Sequence, residues 1–200
     1  MRLRAKICGL AAALTVGAAV MLLTSLASAG SDGGAQHVRW DIIHLAGGAP
    51  PGPFTPGGEA SATAPDGDTI TLTGTGTFVA PASGGGTGAV TGGGTWRTSG
   101  GASGTYQVTS LVSWTFASFQ ATTPTIIDNI DDGTRANGTA VLRIAFSDGS
   151  RGVLTVGCHG PGAPPGIFEG VATTKGFKTY YTVPAPVAGV DFGRTLFHVR

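Results

Sequence analysis

Charge is scarce in this sequence. Of 200 residues, 12 are Lys or Arg and 11 are Asp or Glu, together 12%, about half the usual share. Glutamate occurs only at Glu59 and Glu169, so a carboxylate pair for glycoside hydrolysis would have to recruit aspartates. No cluster of Lys and Arg follows the first six residues. The electrostatic footprint of a nucleic-acid or anionic-lipid binder is therefore missing. Nucleophile and nucleotide motifs are missing as well. No Gly-x-Ser-x-Gly elbow occurs, and residues 170–175 (GVATTK) lack the second glycine of a phosphate-binding loop. Cysteine is limited to Cys8 and Cys158. Against these deficits, 41% of the chain is hydrophobic and 35 residues are glycine. That composition supports a packed core and argues against disorder, and the length suits one domain.

The N-terminus reads as an export signal. Arg2, Arg4 and Lys6 precede an uncharged stretch from Ile7 to Leu26, and Ala27-Ser28-Ala29 forms a small-x-small site before Gly30. This is the layout of a secretory signal peptide cut after Ala29. There is no Arg-Arg pair, which favours the general secretory route over the twin-arginine one. The alternative is an uncleaved membrane anchor, because the apolar run of about 20 residues also reaches the length of a span. Removing residues 1–29, three of them basic, leaves 171 residues with 9 basic and 11 acidic, a formal charge of −2. Cys8 leaves with the signal, so Cys158 has no intramolecular disulfide partner in the mature chain. The expected organisation is a signal peptide over 1–29, an N-terminal strand and Pro/Gly-rich loop over 30–58, and the remainder of one β domain over 59–200.

The mature chain reads as all-β, a single antiparallel β-barrel or β-sandwich. Val38, Trp40 and Ile42 alternate with polar residues, as do Ile70, Leu72 and Phe78 against a row of threonines from Thr69 to Thr77. Tyr106, Val108, Val112, Trp114 and Phe116 are expected on one face, and Leu142, Ile144 and Phe146 on another. Val153 to Cys158 and Thr195 to Val199 are short apolar runs, and no segment carries a sustained helical repeat. Asp66-Gly67 and Asp148-Gly149 predict two-residue hairpin turns in which both positions have positive φ, with a hairpin from about Ala140 to Cys158. Gly100-Gly101 is a third turn signal. Residues 46–58 and 160–166 hold four and three prolines and read as surface loops, not central strands. Gly84-Gly85-Gly86 reads as a loop tip.

Gly-Thr-aromatic recurs at Gly76-Thr77-Phe78, Gly94-Thr95-Trp96 and Gly104-Thr105-Tyr106. Glycines inside strands mark bends that let a curved sheet close, and an aromatic two residues on would cover the bare glycine. The ends of the mature chain echo each other, His37-Val38-Arg39 and His198-Val199-Arg200, which suggests two terminal strands that pair. The Gly-Thr-aromatic strands from Glu59 to Tyr106 resemble those of allene oxide cyclase and dirigent-type barrels, a resemblance that implies a barrel but transfers no catalytic residue. Residues 148–170 (DGSRGVLTVGCHGPGAPPGIFEG) resemble part of an uncharacterised group of exported bacterial proteins, which brings no function with it.

Candidate sites follow from the few reactive groups. Cys158-His159 is the only adjacent thiol and imidazole, but neighbours on a strand point to opposite faces, and Cys158 shares parity with Leu154 and Val156. The residues therefore favour a buried, inert thiol over an activated nucleophile. Asp128, Asp131 and Asp132 form an acidic loop that could offer oxygens to calcium. The spacing misses the EF-hand pattern, with Ile130 at a ligand position and Thr139 where the bidentate glutamate belongs, which favours a solvated turn. His37, His44, His159 and His198 have no metal-ligand spacing; pairing of the two ends would bring His37 or His44 toward His198. The threonine row is expected to be an ordinary exposed strand face. Asn137-Gly138-Thr139 fits a glycosylation sequon. Arg143 and Arg151 are candidates for a polar group inside a barrel, against the plainer reading of solvent-facing charge.

Together these features point to a secreted, non-catalytic β-domain acting as a binding or cell-envelope module, with no cofactor, no catalytic residue and no nucleic-acid partner. The rival is a cyclase-like β-barrel enzyme or a carrier for a small apolar ligand, whose cavity would escape sequence inspection. A core filled by Trp40, Trp96, Trp114 and Phe116 would favour the first reading, and an open interior the second. A third reading is a subunit of a surface assembly joined through exposed strand edges.

Overall fold

The computed structural model describes residues 35–45, 53–81, 85–122, 127–130, 132–182 and 194–200. The expected signal segment 1–29, residues 46–52 of the first Pro/Gly-rich stretch, Gly84 and Asp131 lie outside the described residues. The described residues contain strands and no helix: β1 (Gln36–Leu45), β2 (Pro53–Pro56), β3 (Ala60–Thr63), β4 (Thr69–Leu72), β5 (Thr75–Ala80), β6 (Val90–Thr98), β7 (Ser103–Phe119), β8 (Ile127–Asp128), β9 (Thr134–Phe146), β10 (Arg151–Cys158), β11 (Gly170–Lys175), β12 (Lys178–Thr182) and β13 (Thr195–Val199). The all-β expectation holds.

Three long strands, β6, β7 and β9, form a spine. One edge of β6 is shared between β5, at residues 90–93, and β4, at residues 96–98. One edge of β9 is likewise shared between β13, at 134–136, and β10, at 138–145. Two circuits of hydrogen-bonded strands close from this spine. One runs β9-β10-β11-β12-β3-β4-β6-β7, the other β9-β13-β1-β5-β6-β7. The sheet is thus ring-like, and its pairs are antiparallel except for β2 with β8. The two terminal strands do pair, with Val38 opposite Val199, and the His37 and Arg200 backbones exchange hydrogen bonds of 3.1 and 3.0 Å.

The longest strand, β7, departs from simple alternation. Its register with β9 shifts between Val108 and Ser110, between Leu111 and Ser113, and between Phe116 and Ser118. Each bulge inserts one residue and bends the strand. The first reverses the parity, so Leu111 is buried and Val112 is 37% exposed; the second restores it for Trp114. The expected shared face of Tyr106, Val108, Val112 and Trp114 is corrected at Val112 for this reason.

The turns differ from expectation in a consistent way. At 65–67, 99–101 and 147–149 the hairpin loop has three residues, closed in the last case by Phe146 N–H to Ser150 O and Gly149 N–H to Phe146 O. The final glycine of each loop has positive φ, 86° at Gly67, 87° at Gly101 and 86° at Gly149. This is a type I turn followed by a glycine bulge, which asks one residue rather than two for the left-handed region. The β9–β10 hairpin pairs Gly138–Ala145 with Arg151–Cys158, close to the expected span. Residues 53–56, read as loop, form β2 instead. Its prolines sit at the two ends, and Phe54, Thr55 and Pro56 lie opposite Leu45, His44 and Ile43 of β1; the strand rule for proline allows terminal positions. The 160–166 stretch is loop, as expected. Gly86 lies against the Leu111 carbonyl, and Thr87 bridges to Leu111, so this segment is pinned to β7.

The core is filled by aromatic side chains. Trp114 packs against Phe78 and Phe197 with centroids 5.4 and 4.7 Å apart, and Phe146 packs against Trp96 and Tyr106 at 5.8 and 6.2 Å. Trp40 is fully buried and lies opposite Gly76 on β5. A Cβ on Gly76 would overlap Trp40 and the Thr91 carbonyl. Trp96 likewise faces Gly104 across β6 and β7. The glycines of the Gly76 and Gly104 repeats are thus covered from the neighbouring strand, not by the aromatic two residues on. Each large side chain buried in this way contributes roughly 1.5–3 kcal/mol.

Candidate functional site

A concavity lies where β1 and β10 end and β13 begins. β10 runs into the core as far as Cys158, then the chain leaves through the Pro/Gly-rich loop 159–169. Asn137 anchors that loop. Its Nδ2 donates to Ser118 Oγ at 3.0 Å and to Pro161 O at 3.3 Å, and its Oδ1 accepts from Gly160 N–H at 2.7 Å. Asn137 is fully buried, and this use of its amide is incompatible with a sugar at the 137–139 sequon.

Glu169 closes the loop. Its Oε2 accepts the His159 N–H at 2.5 Å and its Oε1 accepts the Thr195 N–H at 2.8 Å, while Thr195 Oγ1 donates to Gly157 O at 2.5 Å. One carboxylate thus joins the end of β10 to the start of β13. Burial pushes its pKa up to about 7, opposed by those two amide bonds and by the charge of Arg194. The desolvated carboxylate prefers its neutral form, and it changes charge near neutrality.

A cavity of about 170 Å³ opens beside this staple. Ile43, Leu45, Phe54 and Leu196 give it apolar walls; Gln120, Cys158, His159, Glu169 and Arg194 give it a polar end. Gln120 Nε2 donates to Cys158 Sγ at 3.3 Å. Cys158 is 1% exposed, and burial, aided by the nearby Glu169 charge, pushes its thiol well up from the ordinary value. His159 is exposed and its Nδ1 lies 2.7 Å from Ile167 O. The thiol's side-chain partner is therefore Gln120 and not the imidazole.

Asp128 and Asp132 are not free, solvated carboxylates. Asp128 Oδ2 meets His198 Nε2 at 2.8 Å and Arg135 Nε at 3.9 Å, and its Oδ1 accepts the Ile130 N–H at 3.0 Å. Asp132 pairs with Arg39 at 3.5 Å and Arg200 at 2.9 Å. Arg39 in turn holds the buried Asp41 through two bonds of 2.8 and 3.0 Å, and Thr75 Oγ1 donates to Asp41 at 2.6 Å. Cations of the protein occupy the oxygens that a metal would need. Among the described residues no group of three or more His, Cys, Asp or Glu side chains could hold a metal ion. The paired ends set Arg39, not His37 or His44, opposite His198.

Other candidates are relocated. Arg143 and Arg151 are exposed on the outer surface, not inside the ring. The threonine row is not a free face: Thr71 is buried on Ser61 at 2.8 Å, and Thr73 and Thr77 pair with Thr95 and Thr91 at 2.8 Å each. Sequence reasoning missed Glu169, Gln120 and Arg194 as cavity residues. The available signal was scarcity, because Glu169 is one of two glutamates and stands just after a run of proline and glycine. Comparisons with protein-family models, with curated proteins and with solved structures find no match.

Proposed function

We propose that this chain is an exported, non-catalytic β-domain that binds a small, mainly apolar ligand in the cavity between β1, β2 and β13. The carrying observation is a cavity of about 170 Å³ walled by Ile43, Leu45, Phe54 and Leu196 in a domain otherwise packed with aromatics. A dry apolar cavity of about 150 Å³ accepts a benzene-sized molecule, so the ligand is a single small ring or the end of an aliphatic chain. Its polar end meets Gln120, Glu169 and Arg194. The argument against catalysis is the state of Cys158, buried and far from its thiolate form, whereas nucleophilic thiols need a lowered pKa and a base in reach. Export rests on the basic, apolar and small-residue order of residues 1–29.

The test is thermal unfolding of the purified protein against small aromatic and short aliphatic compounds. A ligand at about 100 times its dissociation constant stabilises by roughly 2.7 kcal/mol. A saturable shift that disappears in Leu45→Trp, which fills the cavity, supports the reading. Absence of any saturable shift, or a shift retained in the filled variant, overturns it.

A further inference from the structure

We infer that Arg143 and Arg151 form a surface site for a phosphate-like oxyanion. The inference starts from how charge is distributed. Arg39, Arg97, Arg135, Lys175, Lys178 and Arg200 each form an ion pair with a carboxylate, and Arg194 acts on Glu169. Arg143 and Arg151 are the described Lys and Arg residues with no carboxylate partner among the described residues, in a protein with few charges to spare.

The register sets them together. In the β9–β10 pair, Arg143 lies opposite Val153 and Arg151 opposite Ala145, so the two arginines are diagonal neighbours on one face. Diagonal positions are about 7–8 Å apart at Cα, within reach of long side chains. Both line one surface cavity of about 170 Å³ with Thr109, Ile144, Ala145 and Gly152. The β7 positions bordering this pair are Gln107, Thr109 and Ser110, all uncharged, and the Thr109 hydroxyl donates to the Arg143 carbonyl. Asp148, the carboxylate closest in sequence, is engaged by Lys175 and Ser150.

Two like charges side by side on a sheet are unfavourable by themselves. A tetrahedral oxyanion removes that repulsion, and two guanidinium forks match its oxygens with charge-assisted, paired hydrogen bonds. The ligand chemistry is a phosphate or phosphate ester, either free or carried on a lipid headgroup. The site is separate from the apolar cavity and does not depend on its reading.

The experiment titrates the full protein with inorganic phosphate against sodium chloride of matched ionic strength, following the melting midpoint and the arginine Nε–H signals by NMR. Phosphate is expected to act saturably beyond chloride. Arg143→Ala or Arg151→Ala weakens it about tenfold or more, and the double Lys variant retains charge but loses much of the affinity. Co-sedimentation with phosphatidic acid vesicles, against phosphatidylcholine alone, separates the two sources: pelleting assigns a headgroup, and phosphate binding without pelleting assigns a free phosphate. Equal effects of phosphate and chloride, or phosphate binding retained in the double alanine variant, overturn the inference.

Discussion

His198 Nε2 and Asp128 Oδ2 lie 2.8 Å apart, and this contact ties the end of β8 to the last strand. His198 is fully buried, and its Nδ1 and Arg135 Nη1 are buried without a hydrogen-bond partner among the described residues. Asp128 therefore serves two cationic or polar groups that have little recourse to water. Asp128→Ala is expected to lower stability by about 3 kcal/mol, the scale for stripping one partner from a buried polar pair, read from the denaturant midpoint. Calcium is expected to leave the wild-type midpoint unchanged, because it would have to displace His198, Arg39 and Arg200. A calcium-dependent rise lost in Asp128→Ala would restore the metal reading.

Cys158 gives a kinetic prediction. Burial raises its thiol pKa, and only the thiolate reacts rapidly with disulfide reagents. Labelling of the native protein at pH 8 should be slower than that of the urea-unfolded chain by orders of magnitude, and should accelerate with denaturant as the fold opens. Rapid native labelling, unchanged by denaturant, would show an accessible thiol and remove the argument against nucleophilic chemistry.

Glu169 makes stability depend on pH near neutrality. Its folded pKa is raised from the ordinary 4.5 to about 7, so folding favours the protonated form. The stabilisation from this group is complete below about pH 4.5 and is lost as pH rises through about 7, on the order of 3 kcal/mol in total. Asp68 and Asp148 behave oppositely. Hydrogen bonds from Ser99 to Asp68 and from Lys175 to Asp148 hold both at about 2, so their contribution is present above about pH 4 and lost toward pH 2. Urea midpoints should therefore fall at both ends. Glu169→Gln is expected to flatten only the slope between pH 5 and 8; an unchanged slope there would place the titration elsewhere.

What the sequence made legible follows the strength of its local pattern. β1, β10 and β13 carry dense alternation or short apolar runs, and Asp148-Gly149 marks the hairpin, so these elements and the pairing of the ends were readable. β3 is Ala-Ser-Ala-Thr and β6 contains Gly92-Gly93-Gly94. Small residues weaken the local strand pattern in β3 and in the glycine-rich middle of β6, where pairing with neighbouring strands sets the structure. Val112 was misplaced because a bulge is set by curvature, which periodicity does not carry. The cavity was hidden for a similar reason. Ile43, Cys158, Glu169 and Leu196 meet only when a strand from each end of the domain closes beside β10, and no spacing in the chain encodes that meeting.

Gly76 offers a test of how the ring closes. It lies opposite Trp40 on β1 and beside Gly92 on β6, and a Cβ there would overlap the Thr91 carbonyl and the Trp40 indole. A backbone carbonyl in a paired strand cannot step aside as a flexible side chain would. Gly76→Ala should therefore cost about 1–3 kcal/mol, as overpacking does, and perturb Trp40 fluorescence. Gly88 is the matched control, since a Cβ there meets nothing within 4 Å and its φ is not left-handed. Gly88→Ala should be neutral or stabilising by about 0.5 kcal/mol through the unfolded chain. If both variants melted like wild type, the close approach of β5 to β1 and β6 would be wrong, and with it the smaller of the two circuits.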